Sequence, residues 1–114
     1  MTVERRDLEL TAERQRAYSR SGNFHADPES ASALGLPGLV AQGMQVFAPA
    51  YSLLLDAWGD DLLARGQVEL RFVAMVVAGE TAAATVTIEG NTATIEVTVP
   101  NDDRVAVVGT AHVA

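Results

Sequence analysis

His25 is the residue best suited to do chemistry in this chain. An imidazole is the side chain whose ordinary titration falls near neutral pH, and the second histidine, His112, stands far off near the C-terminus. His25 is followed by Asp27-Pro28, then by Gly35-Leu36-Pro37-Gly38, and then by Val40-Ala41-Gln42-Gly43-Met44, which opens an apolar stretch. An imidazole placed there could activate water or move a proton at carbon. That work needs a second proton-handling group and donors for any developing oxyanion. No acid stands between Tyr18 and His25. Asn23 could orient a water but not take its proton, and Asp60 and Asp61 are the more distant acids that could serve.

Composition removes other chemistries. The chain has 114 residues, no cysteine and no lysine; all eight basic residues are arginine, and the net charge is −7. Disulfides, thiolate metal sites, cysteine nucleophiles and Schiff-base lysines are therefore excluded. An acidic domain repels phosphate backbones, so nucleic acid is not an expected partner. Two histidines so far apart do not suggest a metal site, and no cofactor motif is present. The N-terminus MTVERRDLEL has no apolar signal core, and the apolar run from Met44 to Leu55 is interrupted by Gln45, Pro49 and Ser52. Neither reads as a membrane segment. A cytoplasmic protein of one domain, residues 1–114, is expected.

The elements that must position His25 follow from pattern. Residues 2–9 alternate weakly, as a short edge strand would. Thr11 is an N-cap for a polar helix over residues 12–20, with Ala17 and Tyr18 as its expected core contacts. Asp27-Pro28-Glu29 starts a second, short helix that stops at Gly35. The stretch from Gly43 to Trp58 is apolar on nearly every face and predicts a buried helix. Pro49 inside it predicts a bend or a loose first turn. A turn of helix through Arg65 follows, and then the period changes to two. Strands are expected over 67–77, 82–88, 92–99 and 105–113, with Gly90-Asn91 as a two-residue hairpin turn. Ala93, Ile95, Val97 and Val99 point inward. An antiparallel sheet with helices gathered on one face is an α+β layout.

The blocks His25-Ala26-Asp27-Pro28, Gly35-Leu36-Pro37-Gly38 and Val40-Ala41-Gln42-Gly43-Met44 resemble the hydratase motif of MaoC-like dehydratases, the group that includes the (R)-specific enoyl-CoA hydratases. Arg71-Phe72 and Val77-Ala78-Gly79-Glu80 resemble a later strand and turn of that family. The resemblance runs from about residue 10 to the end and shows no gap between His25 and Gly43. It implies a hotdog fold, in which an antiparallel sheet wraps a central buried helix, and a homodimer. It further implies hydration or dehydration of an acyl thioester carried on coenzyme A or a carrier protein. His25 would be the general acid/base and the backbone N–H of Gly43 would donate to the thioester carbonyl. A helix N-terminus has free N–H groups and positive potential, which gives that role a physical basis.

Two positions depart from the family pattern. Its catalytic aspartate falls at Arg20, and its histidine before the helix glycine is Gln42. The loop can also be read as a shortened form beginning at Ser21-Gly22, with Asn23 in place of the family asparagine. Asn23 joins His25 and Gly43 as a catalytic candidate; Arg20, Gln42, Met44, Phe47 and Tyr51 are candidates for binding substrate. Each has a plainer reading as well. Asp27 is an N-cap rather than a catalyst. His25 could simply bond a backbone group, Gly43 could serve close packing, Tyr51 could be core, and Arg20 could be a solvated charge at a helix end. The missing acid keeps a second function open: a divergent hotdog protein that binds an acyl or polyketide-like ligand, or transforms it as an isomerase, cyclase or thioesterase. A purely structural dimeric domain is the third possibility.

Overall fold

The computed structural model describes all residues 1–114. The chain runs β1 (Thr2–Glu9), α1 (Ala12–Ser19), α2 (Pro28–Ala33), α3 (Gly43–Trp58), α4 (Asp60–Arg65), β2 (Gly66–Phe72), β3 (Thr81–Glu89), β4 (Thr92–Val99) and β5 (Arg104–Val113). The strands form one sheet in the order β1-β3-β4-β5-β2, and every pairing is antiparallel. This is the hotdog form of α+β architecture, with α3 lying against one face of the sheet.

The core forms where two periodicities meet. On β4 alternate residues Ala93, Ile95, Val97 and Val99 are buried, and on β3 so are Ala82, Ala84 and Val86. From α3 the side chains of Val46, Phe47, Ala50, Leu53 and Leu54 fill the space above them. Small alanines under bulky helix residues let the two layers interdigitate. The helix is not buried all round: Met44 is 55% exposed, and Ala48 and Ala57 also face outward. Pro49 is accommodated within a continuous helix, and the Ser52 hydroxyl donates to its carbonyl at 2.9 Å. No helix is long and apolar enough to cross a membrane.

The second expected strand ends early. Pairing with β5 stops at Phe72, and the N–H groups of Val73 and Ala74 both turn to the Ala106 carbonyl, at 2.8 and 3.3 Å. Ala106 is itself the irregular residue of β5. Val97 pairs with Val107 and Thr98 with Val105, so Ala106 is a bulge. A bulge breaks the ladder locally and re-aims the strand beside it. Here it receives residues 73–74 and lets the chain leave the sheet to build one wall of a cavity.

That wall is fastened at its far end. The Arg104 guanidinium donates to the Met75 carbonyl at 2.7 Å and forms a paired contact with the Glu80 carboxylate, whose Oε1 also accepts from the Val77 N–H at 2.9 Å. The Arg104 hydrogen bond holds the Glu80 carboxyl below the usual carboxylate range, overcoming the opposite effect of burial. A depressed folded value means that this contribution is complete above about pH 5 and is lost as pH falls through the folded pKa. Glu80→Gln is expected to cost about 2 kcal/mol near neutral pH. It should also lose less further stability than wild type on acidification. Urea melts across the acid range check this; parallel pH profiles for the two proteins would refute it.

Candidate active site

The loop that carries His25 lies between α1 and α2, and polar side chains from α1 grip it. Gln15, fully buried, donates through Nε2 to the carbonyls of His25 and Leu39, each at 3.0 Å. The Arg16 Nε donates to the Ala26 carbonyl at 3.2 Å. Ser19 is 7% exposed, and its hydroxyl accepts from Gln42 Nε2 at 2.8 Å. So α1 turns Gln15 and Ser19 inward, not Ala17 and Tyr18; Tyr18 is half exposed. The reason is the surface it covers. Loop backbone carries unpaired carbonyls, and a buried carbonyl needs a donor.

The orientation of His25 is set by two contacts. Nδ1 lies 2.6 Å from the Val40 carbonyl, and the ring rests against Phe24 with centroids 4.0 Å apart. A carbonyl only accepts, so Nδ1 carries a proton in this contact, and in the neutral ring Nε2 is left with the free lone pair. The ring is half-buried. Asn23 shapes the same loop: its Oδ1 accepts from the His25 N–H at 3.0 Å, and its Nδ2 donates to the Ser19 carbonyl at 2.9 Å. Asp27 caps α2, accepting from the Glu29 N–H and the Ser30 hydroxyl. No carboxylate hydrogen-bonds to the His25 ring.

Arg20 ends α1 with φ 64° and ψ −125°, a conformation suited to glycine. Its side chain is exposed and forms no ion pair. Arg20→Gly is therefore expected to raise stability by about 1 kcal/mol, the relief of strain exceeding the extra entropy of an unfolded glycine. A thermal melt measures it, and a lower midpoint for the variant would contradict the assignment.

The N-terminus of α3 is open. Gln42 occupies the N-cap position, but its amide is spent on Ser19 and caps nothing. The Gln42 carbonyl accepts from Gln45 and Val46, whereas the N–H groups of Gly43 and Met44 find no acceptor. They border a cavity of about 470 Å³ lined by Ala41, Gln42, Gly43, Met44 and Val46 on one side. Phe72, residues 73–76 and Val107 line the other. Nine of the eleven lining residues are hydrophobic, and Gln42 carries the polar side chain among them. Two adjacent N–H groups at a helix N-terminus, facing an apolar space, form a ready site for a carbonyl oxygen or an oxyanion.

The cavity thus gathers Gln42, Gly43 and Met44. It adjoins the His25 loop through Val40, the residue before Ala41, whose carbonyl holds the imidazole. His25, Asn23 and Arg20 do not line it. Phe47 is 2% exposed within the core, and half-buried Tyr51 packs edge-on against it at 5.9 Å. Sequence reasoning missed Gln15 and Ser19, which brace the loop, and Phe72 with residues 73–76, which form the far wall. The exposed apolar residues Val73 and Met75 would have been the signal, had the strand not been expected to continue through them.

Residues 1–107 match the family model described as the MaoC like domain. The chain belongs to the MaoC-like domain family. Solved structures with the same fold include a MaoC-like dehydratase from Phytophthora capsici, 21% identical, with a TM-score of 0.79 over 96% of this chain and 39% of that one. An (R)-hydratase from A. caviae involved in PHA biosynthesis is 20% identical, with a TM-score of 0.74 over 99% of this chain and 95% of that one. An R-hydratase from Pseudomonas aeruginosa is 13% identical, with a TM-score of 0.81 over 98% of this chain and 78% of that one. This MaoC-like domain spans about two-fifths of the Phytophthora protein and nearly all of the A. caviae one. Among curated proteins no sequence matches the chain.

Proposed function

We propose that this MaoC-like domain hydrates a 2-enoyl thioester, or dehydrates the corresponding 3-hydroxyacyl thioester, carried on coenzyme A or a carrier protein. The observation that supports it most is the pair of unpaired amides of Gly43 and Met44 facing an apolar cavity, next to the loop that holds His25. In this reading the thioester carbonyl accepts from the Gly43 N–H. Positive charge density at the helix end stabilises the enolate oxygen that develops when water adds to the β-carbon. His25 Nε2, left free by the Nδ1 contact, takes the proton from water and later delivers one to the α-carbon. Asn23 keeps the loop in shape, and Gln42 and Met44 border the ligand. This reading includes a homodimer.

One observation favours a second reading. With no carboxylate on the His25 ring, water activation rests on a single imidazole, and the same cavity suits a binding protein or a different acyl-transforming enzyme. Loss of enoyl absorbance on adding the protein to 2-enoyl-CoA substrates decides between them. Turnover supports the hydratase. Saturable binding without turnover supports the second reading and rejects the first.

A further inference from the structure

We infer that Phe72 is the specificity-determining residue of the cavity and that it selects straight-chain over α-branched acyl groups; this rests on the acyl-thioester reading above. A Cβ built on Gly43 would lie 2.7 Å from Cε1 of the Phe72 ring and 2.9 Å from Cδ1. The ring therefore occupies the space where a side chain at 43 would stand, and position 43 must be glycine for the ring to lie there. Yet Phe72 is 51% exposed. It is the last residue of β2, placed where the strand leaves the sheet at the Ala106 bulge. The ring thus stands half in water over the start of α3 rather than in the core.

The consequence for a ligand follows from the position of the amides. A Cβ on a helix leans toward the helix N-terminus, the end at which the unpaired N–H groups also open, so a carbonyl bound to the Gly43 N–H brings its own carbon and its α-carbon near the ring. A planar, unbranched chain can run past an aromatic face. A methyl group on the α-carbon meets the ring, and the backbone that follows Phe72 is fastened: Val73 and Ala74 are bonded to Ala106, and Arg104 holds the Met75 carbonyl. One methyl group refused by an apolar pocket changes specificity by about 10- to 200-fold.

The test compares a straight-chain 2-enoyl-CoA with its 2-methyl counterpart on wild type, Phe72→Ala and Phe72→Leu, reading the ratio of kcat/KM. Wild type is expected to prefer the straight chain, and Phe72→Ala to shift the ratio toward the branched substrate by at least about tenfold, with Phe72→Leu between. If both substrates change by the same factor, or neither changes, the assignment of Phe72 is overturned. Where neither protein turns over substrate, the same ratio is taken from calorimetric binding of saturated straight and 2-methyl acyl-CoA. A shift toward the branched ligand in Phe72→Ala then supports the assignment, and an unshifted ratio overturns it. If no acyl thioester binds either protein, the acyl reading itself is refuted and this proposal with it. Thermal melts of Gly43→Ala in both backgrounds test the geometry separately. The substitution should lower the midpoint when Phe72 is present and leave it unchanged or raised in Phe72→Ala; equal losses in the two backgrounds would reject the ring's placement.

Discussion

Replacing His25 with alanine is expected to lower kcat for hydration by about 10²- to 10⁴-fold, the usual worth of a positioned acid/base group. The two ring nitrogens have separate tasks. Nδ1 is committed to the Val40 carbonyl at 2.6 Å, so only Nε2 can exchange a proton with water or substrate. No second titratable group bonds the ring to share that duty. His25→Asn keeps a donor that can reach the Val40 carbonyl but supplies no base, and it should lose as much rate as alanine. Initial rates with an enoyl thioester measure both variants. Both variants are expected to keep near wild-type melting midpoints, because the loop is also tied down by Gln15, Arg16 and Asn23. Variants with undiminished rates would remove His25 from the mechanism.

Phe47→Ala is expected to be the most damaging single core change, costing about 3–5 kcal/mol. Phe47 is the largest of the fully buried side chains and lies on the packed side of α3. Small residues lie beneath the helix on β3, and β4 is anchored by rigid pairing on both sides, so neither can move inward to fill the space. Against a net stability of about 5–15 kcal/mol, such a loss could consume much of the fold's margin. Urea denaturation gives the number directly. Phe47→Leu separates packing from ligand contact. Leucine keeps most of the volume and should cost less than half as much, and a changed KM in that variant would show that Phe47 also touches substrate. A loss below about 1 kcal/mol for the alanine variant would contradict its place in the core.

Much of the architecture was legible because local signals agreed with one another. Gly43 and Gly59 bracket an apolar run of helix length, and α3 occupies the interval between them. Strict alternation from Thr92 to Val99 marked both the strand and its buried face. The errors arose where tertiary partners overrode pattern. Val73 to Val77 reads as strand, but the residue that ends the pairing is Ala106, inside the apolar run 105–108, where an extra residue leaves no trace in composition. Ala17 and Tyr18 read as the inward residues of α1, yet that helix meets backbone carbonyls of the His25 loop, and glutamine answers a need that they do not. Of the candidate site, the His25-to-Gly43 block was visible because its parts are close in sequence. Phe72 arrives from a strand well separated from that block, and no local spacing announces such a meeting.

The bonds gripping the His25 loop share a direction: Gln15, Arg16 and the imidazole itself each reach a main-chain oxygen, at His25 and Leu39, at Ala26 and at Val40 respectively. Main-chain oxygens are present whatever residue carries them. A lineage could therefore change the partly buried side chain at 40 and leave the histidine aimed as before, whereas drift at 15 or 16 would release it. Tolerance to mutation is thus lopsided: the receiving residues answer only to packing, while a few donors hold the geometry in trust.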